Sequence, residues 1–215
     1  MYGSSKSKYV TENSKPNPLT EYAKSKVIAE KKISKLKSAN FSPIYLRNGT
    51  IYGFSPRMRL DTVLNNFIAQ AYSNNRIDIF SNGKPFRPVV HVEDVCRIIA
   101  EFIKIEKSKI HNQAFNIGDE KLNYKIIDLA KAVAKILNCD INLVNKKDAD
   151  NRSYVASFAK IKKIFPKFKF RKEPKKAVSE IIKIFNKHRI SKNLYNNNNN
   201  NFVRLNYIKK NKIKI

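Results

Sequence analysis

The chain of 215 residues has no tryptophan, only two methionines, two cysteines and five glycines, and 17 acidic side chains against 44 basic ones. Each shortage excludes something. Cys96 and Cys139 stand in separate segments with no CxxC pair and no nearby histidine, which excludes a disulfide framework and a cysteine–histidine metal centre. The expectation for both is a buried free thiol. No uninterrupted apolar run approaches the roughly 18 residues that a membrane span needs. The opening MYGSSKSKYVTENSKPNP holds no apolar stretch of the secretory kind, so the expected location is the cytoplasm. The glycines are Gly3, Gly49, Gly53, Gly83 and Gly118. No two lie close enough for GxGxxG or GxxGxxG, so these residues cannot form the turn that lets a helix N-terminus approach a dinucleotide pyrophosphate.

The shortage of acids leaves a formal charge of +27, a balance that ordinarily points to nucleic acid or an anionic surface. The charge is unevenly placed. Residues 160–215 carry 18 basic side chains and only Glu173 and Glu180 among the acids, whereas residues 1–159 carry 26 and 15. Much of the excess therefore belongs to a tail that also holds the low-complexity asparagine run at 196–201. A solvated, lysine-drifted surface explains it, and nucleic acid is disfavoured as a partner. The competing reading is a basic binding module at residues 160–215, where Phe165, Phe168 and Phe170 alternate with Lys167, Lys169 and Arg171 and could serve as a stacking platform. With 42% hydrophobic and 11% aromatic residues, the chain is long enough to bury a core.

Apolar spacing gives a coarse order of elements. Thr20 is a candidate N-cap for a helix carrying Ala23, Val27, Ile28, Ile33 and Leu36. A strand at 44–46 runs into a polar, glycine-punctuated loop. Helical spacing returns in LDTVLNNFIAQAYSNN, followed by strand-like RIDIFS, a turn at Asn82-Gly83 and the strand PVVHV. A helix from Glu93, the strand HNQAFNIG, a helix over 123–137, the strand INLV and helices near 159–164 and 175–187 complete the reading. Alternation of strands and helices predicts an α/β architecture with at least part of the sheet parallel.

Tyr22 and Lys26, in YAKSK, stand at i and i+4 on the first helix, so an ammonium can lie beside a phenol. A neighbouring positive charge favours the phenolate, which suits proton transfer. The spacing alone is weak, since Tyr2 and Lys6 match it too. Context strengthens it: Tyr2-Gly3, Thr11-Glu12 and Pro16 to Pro18 lead into TEYAKSKVIAE. Then come Leu46-Arg47-Asn48 with Tyr52-Gly53; Ser55-Pro56-Arg57; Gly83 through Arg87 with His91-Val92-Glu93-Asp94-Val95; Phe115-Asn116-Ile117-Gly118; and Arg152-Ser153-Tyr154. In this order the landmarks resemble the extended short-chain dehydrogenases, in the branch of NAD-dependent nucleotide-sugar epimerases and dehydratases.

That resemblance implies a partial Rossmann-like, doubly wound parallel sheet lacking its N-terminal strands, with a small α/β substrate-binding domain. The NAD-binding remainder would span 1–53 and about 89–118, the substrate-binding domain 54–88 and 119–190, and a basic low-complexity tail 191–215. It implies NAD as cofactor, a nucleotide-activated hexose as substrate and a 4-keto intermediate, with Tyr22 taking the hydroxyl proton and Lys26 binding the nicotinamide ribose. Arg87 and Arg152 fall at diphosphate-contacting positions, with Arg57 and Arg59 as additional candidates. Thr50 stands where many relatives place a substrate-contacting asparagine, and Asn48 can compensate. His91 is read as structural. Without a glycine-rich turn, and with the family's third catalytic Ser or Thr falling before Met1, the expectation is a truncated protein, inactive alone. A homodimer or a complementary NAD-binding chain is the expected partner, and a non-catalytic subunit is the further alternative. Epimerase and dehydratase are not separated by these residues.

Overall fold

A computed structural model of the chain describes residues 1–3, 9–146, 150 and 152–192. Ser4, Ser5, Lys6, the asparagine run and the basic terminus lie outside the described residues.

Helix α1 (Glu21–Ser34) begins where expected, with Thr20 Oγ1 accepting from the Ala23 amide at 3.2 Å. Glu21 in its first turn and Lys31 and Lys32 in its last complement the helix dipole. Of its apolar stripe only Ala23 is buried, while Ile28, Ile33 and Leu36 stand exposed. Strand β1 (Ile44–Asn48) follows, and β2 (Thr50–Tyr52) forms in what reads locally as a loop. Next come α2 (Val63–Asn74), β3 (Arg76–Ile79) and β4 (Phe86–His91), then α3 (Val92–Lys104), the single turn α4 (Lys107–Ile110) and β5 (Gln113–Ile117). The helix expected over 123–137 divides into a short strand β6 (Asn123–Lys125) and α5 (Ile126–Leu137). Strand β7 (Asp140–Leu143), α6 (Ala159–Ile164) and α7 (Pro174–Lys187) complete the order, with proline in the first turn of α7, where its missing N–H costs nothing.

Parallel pairing dominates, as the alternation predicts. β1 pairs with β5, β2 with β4 and β3 with β7, all parallel, and β6 lies antiparallel on β4. β4 changes partner along its length: Phe86, Arg87 and Pro88 face β6, and Val89, Val90 and His91 face β2. Pro88, which has no N–H to donate, sits at the handover.

Chain reversals that glycine would normally serve fall to asparagine. Asn75 closes α2 at φ 53° and Asn138 closes α5 at φ 48°, each in the left-handed region that asparagine tolerates better than other residues with a Cβ. α2, α5 and α7 pack on one another, and Leu64, Ile68, Leu129, Ile181 and Phe185 are fully buried within one continuous apolar cluster. Truncating any of the aliphatic members to alanine would cost about 2–5 kcal/mol. Phe170 is buried, and Phe165 and Phe168 pack against the same cluster, so the alternating aromatics turn toward the core. Cys96 departs from expectation: α3 buries Asp94, Val95, Ile98 and Phe102, and the thiol on the opposite side is exposed. Cys139 is half-buried, and burial raises its thiol pKa.

Candidate functional site

One large cleft, of about 1070 Å³, brings most of the sequence candidates together. Tyr22 and Lys26 reach it from α1, Asn48 from the end of β1, Thr50 from β2, Arg87 from β4 and Arg152 from the segment before α6. Arg57 and Arg59 line it as well. The i, i+4 spacing places Lys26 Nζ 5.2 Å from the centre of the Tyr22 ring. The Tyr22 side chain is open to solvent, with the residue 67% exposed.

Behind this pair runs a polar network that fixes α1 to β1. Arg47, whose side chain is only 11% exposed, donates to both Glu30 carboxylate oxygens, at 2.5 and 3.1 Å. The same guanidinium donates to Tyr2 Oη and to the Glu12 carbonyl, each at 2.9 Å. Tyr2 Oη in turn donates to Asn116 Oδ1 at 2.7 Å, and the Asn116 amide donates to Glu12 Oε1 at 2.7 Å. Burial opposes the charge on Arg47, but the hydrogen bonds it donates to Glu30 and Tyr2 prevail and raise its pKa. Glu30 lies one turn beyond Lys26 on α1, so Arg47 governs how the Tyr22–Lys26 face is presented.

Also lining the cleft, Arg87 and Arg152 converge on one carboxylate, Asp150. Arg152 clamps it with two donors at 2.7 and 2.5 Å, and Arg87 Nη2 reaches the same Oδ2 at 3.0 Å. Burial opposes ionisation of Asp150, yet the hydrogen bond from Arg152 and the charge of Arg87 bring its pKa down to about 2. Arg59 is similarly forked onto Asp61, at 2.9 and 2.7 Å. Among the described residues, six cationic side chains line the cleft (Lys26, Arg47, Arg57, Arg59, Arg87 and Arg152) against four carboxylates (Glu30, Asp61, Asp78 and Asp150), leaving an excess of two positive charges. Asp150 and Glu30 escaped sequence reasoning as site residues. A carboxylate two residues before a motif arginine, in a chain this short of acids, was the available signal for Asp150.

His91 lies behind the cleft wall. Its Nδ1 accepts from the Glu93 amide at 3.2 Å and caps α3, as a structural role requires. Its Nε2 is buried without a hydrogen-bond partner, 3.6 Å from Glu180, and burial lowers its pKa despite that carboxylate. Among the described residues no group of three or more His, Cys, Asp or Glu side chains could hold a metal ion.

The sequence pattern of the NAD dependent epimerase/dehydratase family matches residues 1–118, more than half of the chain. The chain belongs to that family. CDP-paratose 2-epimerase of Salmonella typhi is 33% identical over 91 residues, which are 41% of this chain and 27% of that protein. Among solved structures, MoeE5 in complex with UDP-glucuronic acid and NAD superposes with a TM-score of 0.74 at 20% identity, covering 87% of this chain and 62% of that one. UDP-glucuronic acid 4-epimerase from Bacillus cereus, in complex with UDP-glucuronic acid and NAD, gives 0.72 at 23% identity, covering 85% of this chain and 59% of that one. The likeness establishes a Rossmann-like α/β fold. The chain spans about a quarter of the curated relative's length and about three fifths of each solved structure's.

Proposed function

We propose that this chain carries the proton-transfer and substrate-binding side of an NAD-dependent epimerase or dehydratase reaction on a nucleotide-activated hexose. The supporting observation is a single cleft lined both by Tyr22 and Lys26 and by the convergent Arg87 and Arg152. In this reading residues 1–53 and about 89–118 belong to the cofactor side, and 54–88 with 119–190 to the substrate side.

Tyr22 Oη takes the proton of the hexose C4 hydroxyl as that carbon becomes a ketone. The Lys26 ammonium stabilises the phenolate form of Tyr22 that accepts this proton, and donates hydrogen bonds to the nicotinamide ribose. NAD, when bound, supplies the hydride acceptor. Arg87 and Arg152 hold the diphosphate with paired donors, for which a planar guanidinium is suited. The Thr50 hydroxyl and Asn48 amide orient the sugar nucleotide. The excess of two positive charges along the cleft complements a nucleotide-sugar diphosphate, which carries two negative charges.

These residues fit the ribose end of NAD and not its pyrophosphate, since none of the five glycines lies near enough to another to form a phosphate turn. A phenol as exposed as that of Tyr22 also needs a covering surface before proton transfer is sheltered from water. We therefore take turnover, in the cytoplasm, to require a complementary NAD-binding surface that supplies the phosphate turn these residues lack.

Titration of the purified chain with UDP-, dTDP-, GDP- and CDP-glucose, followed by ligand-detected NMR, tests the reading. Binding is expected for at least one of them, weakened about 10- to 100-fold in Arg87→Ala. Equal binding by both proteins would overturn the site, and salt-sensitive DNA binding with no response to nucleotide sugars would favour a basic binding module. NAD-dependent conversion by the chain alone would overturn the required second surface and leave the site standing.

A further inference from the structure

Of the two arginines that meet Asp150, Arg87 is the less hydrated, its side chain 11% exposed against 37% for Arg152. A guanidinium removed from water needs a counter-anion. Asp150 provides it while standing 48% exposed itself, so the pair joins a fixed, buried cation to an anion at the solvent boundary. The Asp150 Oδ2 oxygen is shared: Arg87 Nη2 lies 3.0 Å from it and Arg152 Nη2 lies 2.5 Å from it. Arg152 adds Nε to Oδ1 at 2.7 Å and its own backbone amide to Oδ1 at 3.2 Å. The fork of Arg152 and a single nitrogen of Arg87 thus close on one carboxylate from separate parts of the chain, as they would on a phosphoryl group. Arg87 is further held by Nη1 donating to the Phe86 carbonyl at 3.0 Å, so it keeps its direction when its anionic partner changes.

We infer that Asp150 is an internal competitor for the diphosphate site: its carboxylate occupies the fork of Arg152 and one donor nitrogen of Arg87 and must yield them to the phosphates of an incoming nucleotide. This rests on the reading of the cleft as a nucleotide-sugar site. Exchange is favourable because the arginines keep an anionic partner throughout, and a dianion brings twice the charge of the carboxylate to the same donors. Asp150 thereby sets a threshold. Singly charged anions gain nothing over the resident carboxylate, and a diphosphate does. The residue selects for charge at the site without touching the reacting carbon.

The test compares the full chain with Asp150→Asn, Asp150→Ala and Arg87→Ala by calorimetric titration with inorganic pyrophosphate, singly charged acetate and uridine at low salt, unfolding midpoints being measured in parallel. Asp150→Asn keeps the side chain's shape and Asp150→Ala removes it, so a folding defect in one leaves the other. The expected result is pyrophosphate affinity raised about five- to tenfold in both Asp150 variants, a proportionally larger gain for acetate, unchanged uridine, and a difference that shrinks with added salt. If Arg87→Ala weakens pyrophosphate binding but the Asp150 variants leave it equal or weaker, Asp150 only positions the arginines and the inference is overturned while the site stands. If no protein binds pyrophosphate, the site and the inference fall together.

Discussion

Replacing Arg47 by methionine is the most informative single perturbation of this fold. The guanidinium serves Glu30, Tyr2 and the Glu12 carbonyl at once, with donor distances between 2.5 and 3.1 Å. Methionine keeps the stem and removes every donor. Glu30, whose side chain is 21% exposed, is then left ionised in a partly dry site. Removing one partner of a buried pair costs about 3–5 kcal/mol, and partial exposure reduces this to about 2–3 kcal/mol here. For a domain of this size that corresponds to a fall of roughly 5–10 °C in Tm. Urea unfolding followed by circular dichroism measures it, together with Glu30→Gln and the double variant. If the cost comes from the stranded carboxylate, the double variant recovers part of the loss, with a coupling of about 1 kcal/mol or more. A single-variant cost below about 0.5 kcal/mol, or strict additivity, would refute the reasoning. Because Glu30 follows Lys26 by one turn, the same substitution should also loosen α1, read as faster amide exchange around Tyr22.

Acidification should destabilise the fold through His91. Burial holds its folded pKa below the unfolded value of about 6.5, so the unfolded chain binds the proton first and stability is lost as pH falls below about 6.5. His91→Asn, which retains an acceptor for the Glu93 amide, should show a flatter stability profile between pH 7 and 5, and an identical slope would count against this account. Gly53→Ala should cost about 1–3 kcal/mol, since Gly53 sits at φ 107° and an added Cβ would lie 2.5 Å from His91 Nε2. Thermal unfolding checks it, and a neutral result would sink the contact. Cys96 should react with a thiol reagent in the native state well before Cys139, whose thiol is half-buried with a raised pKa. Equal rates would contradict the placement of α3.

Much of the fold was legible because its signals are local. The threonine cap and i, i+4 spacing placed α1, and alternating apolar runs placed β3, β4, β5 and β7. What escaped depends on partners distant in sequence. Residues 50–52 are three residues between two glycines and become a strand only through pairing with Val89 to His91. Residues 123–125 extend the helical pattern of α5 but are drawn onto β4 instead. Cys96 read as buried because cysteine usually is, although its position off the Val95–Ile98–Phe102 stripe pointed the other way. In the site, Tyr22, Lys26, Arg87 and Arg152 stand in recognisable motifs, whereas the meeting of Arg87 with Asp150 spans 63 residues, and no local pattern announces it.

The change of partner along β4 has a consequence for how this chain can vary. Arg87 is registered opposite Tyr124 on one side, and two residues later Val89 is registered opposite Thr50 on the other. Side chains alternate between faces along a strand, so losing or gaining one residue between these two anchors would turn Arg87 away from the cleft even if every hydrogen-bonding group on the strand found a new mate. The stretch from Arg87 to Val89 should therefore accept substitutions far more readily than insertions or deletions. Its length is the inherited quantity, and the placement of Arg87 in the cleft depends on that length as much as on the identity of the residue.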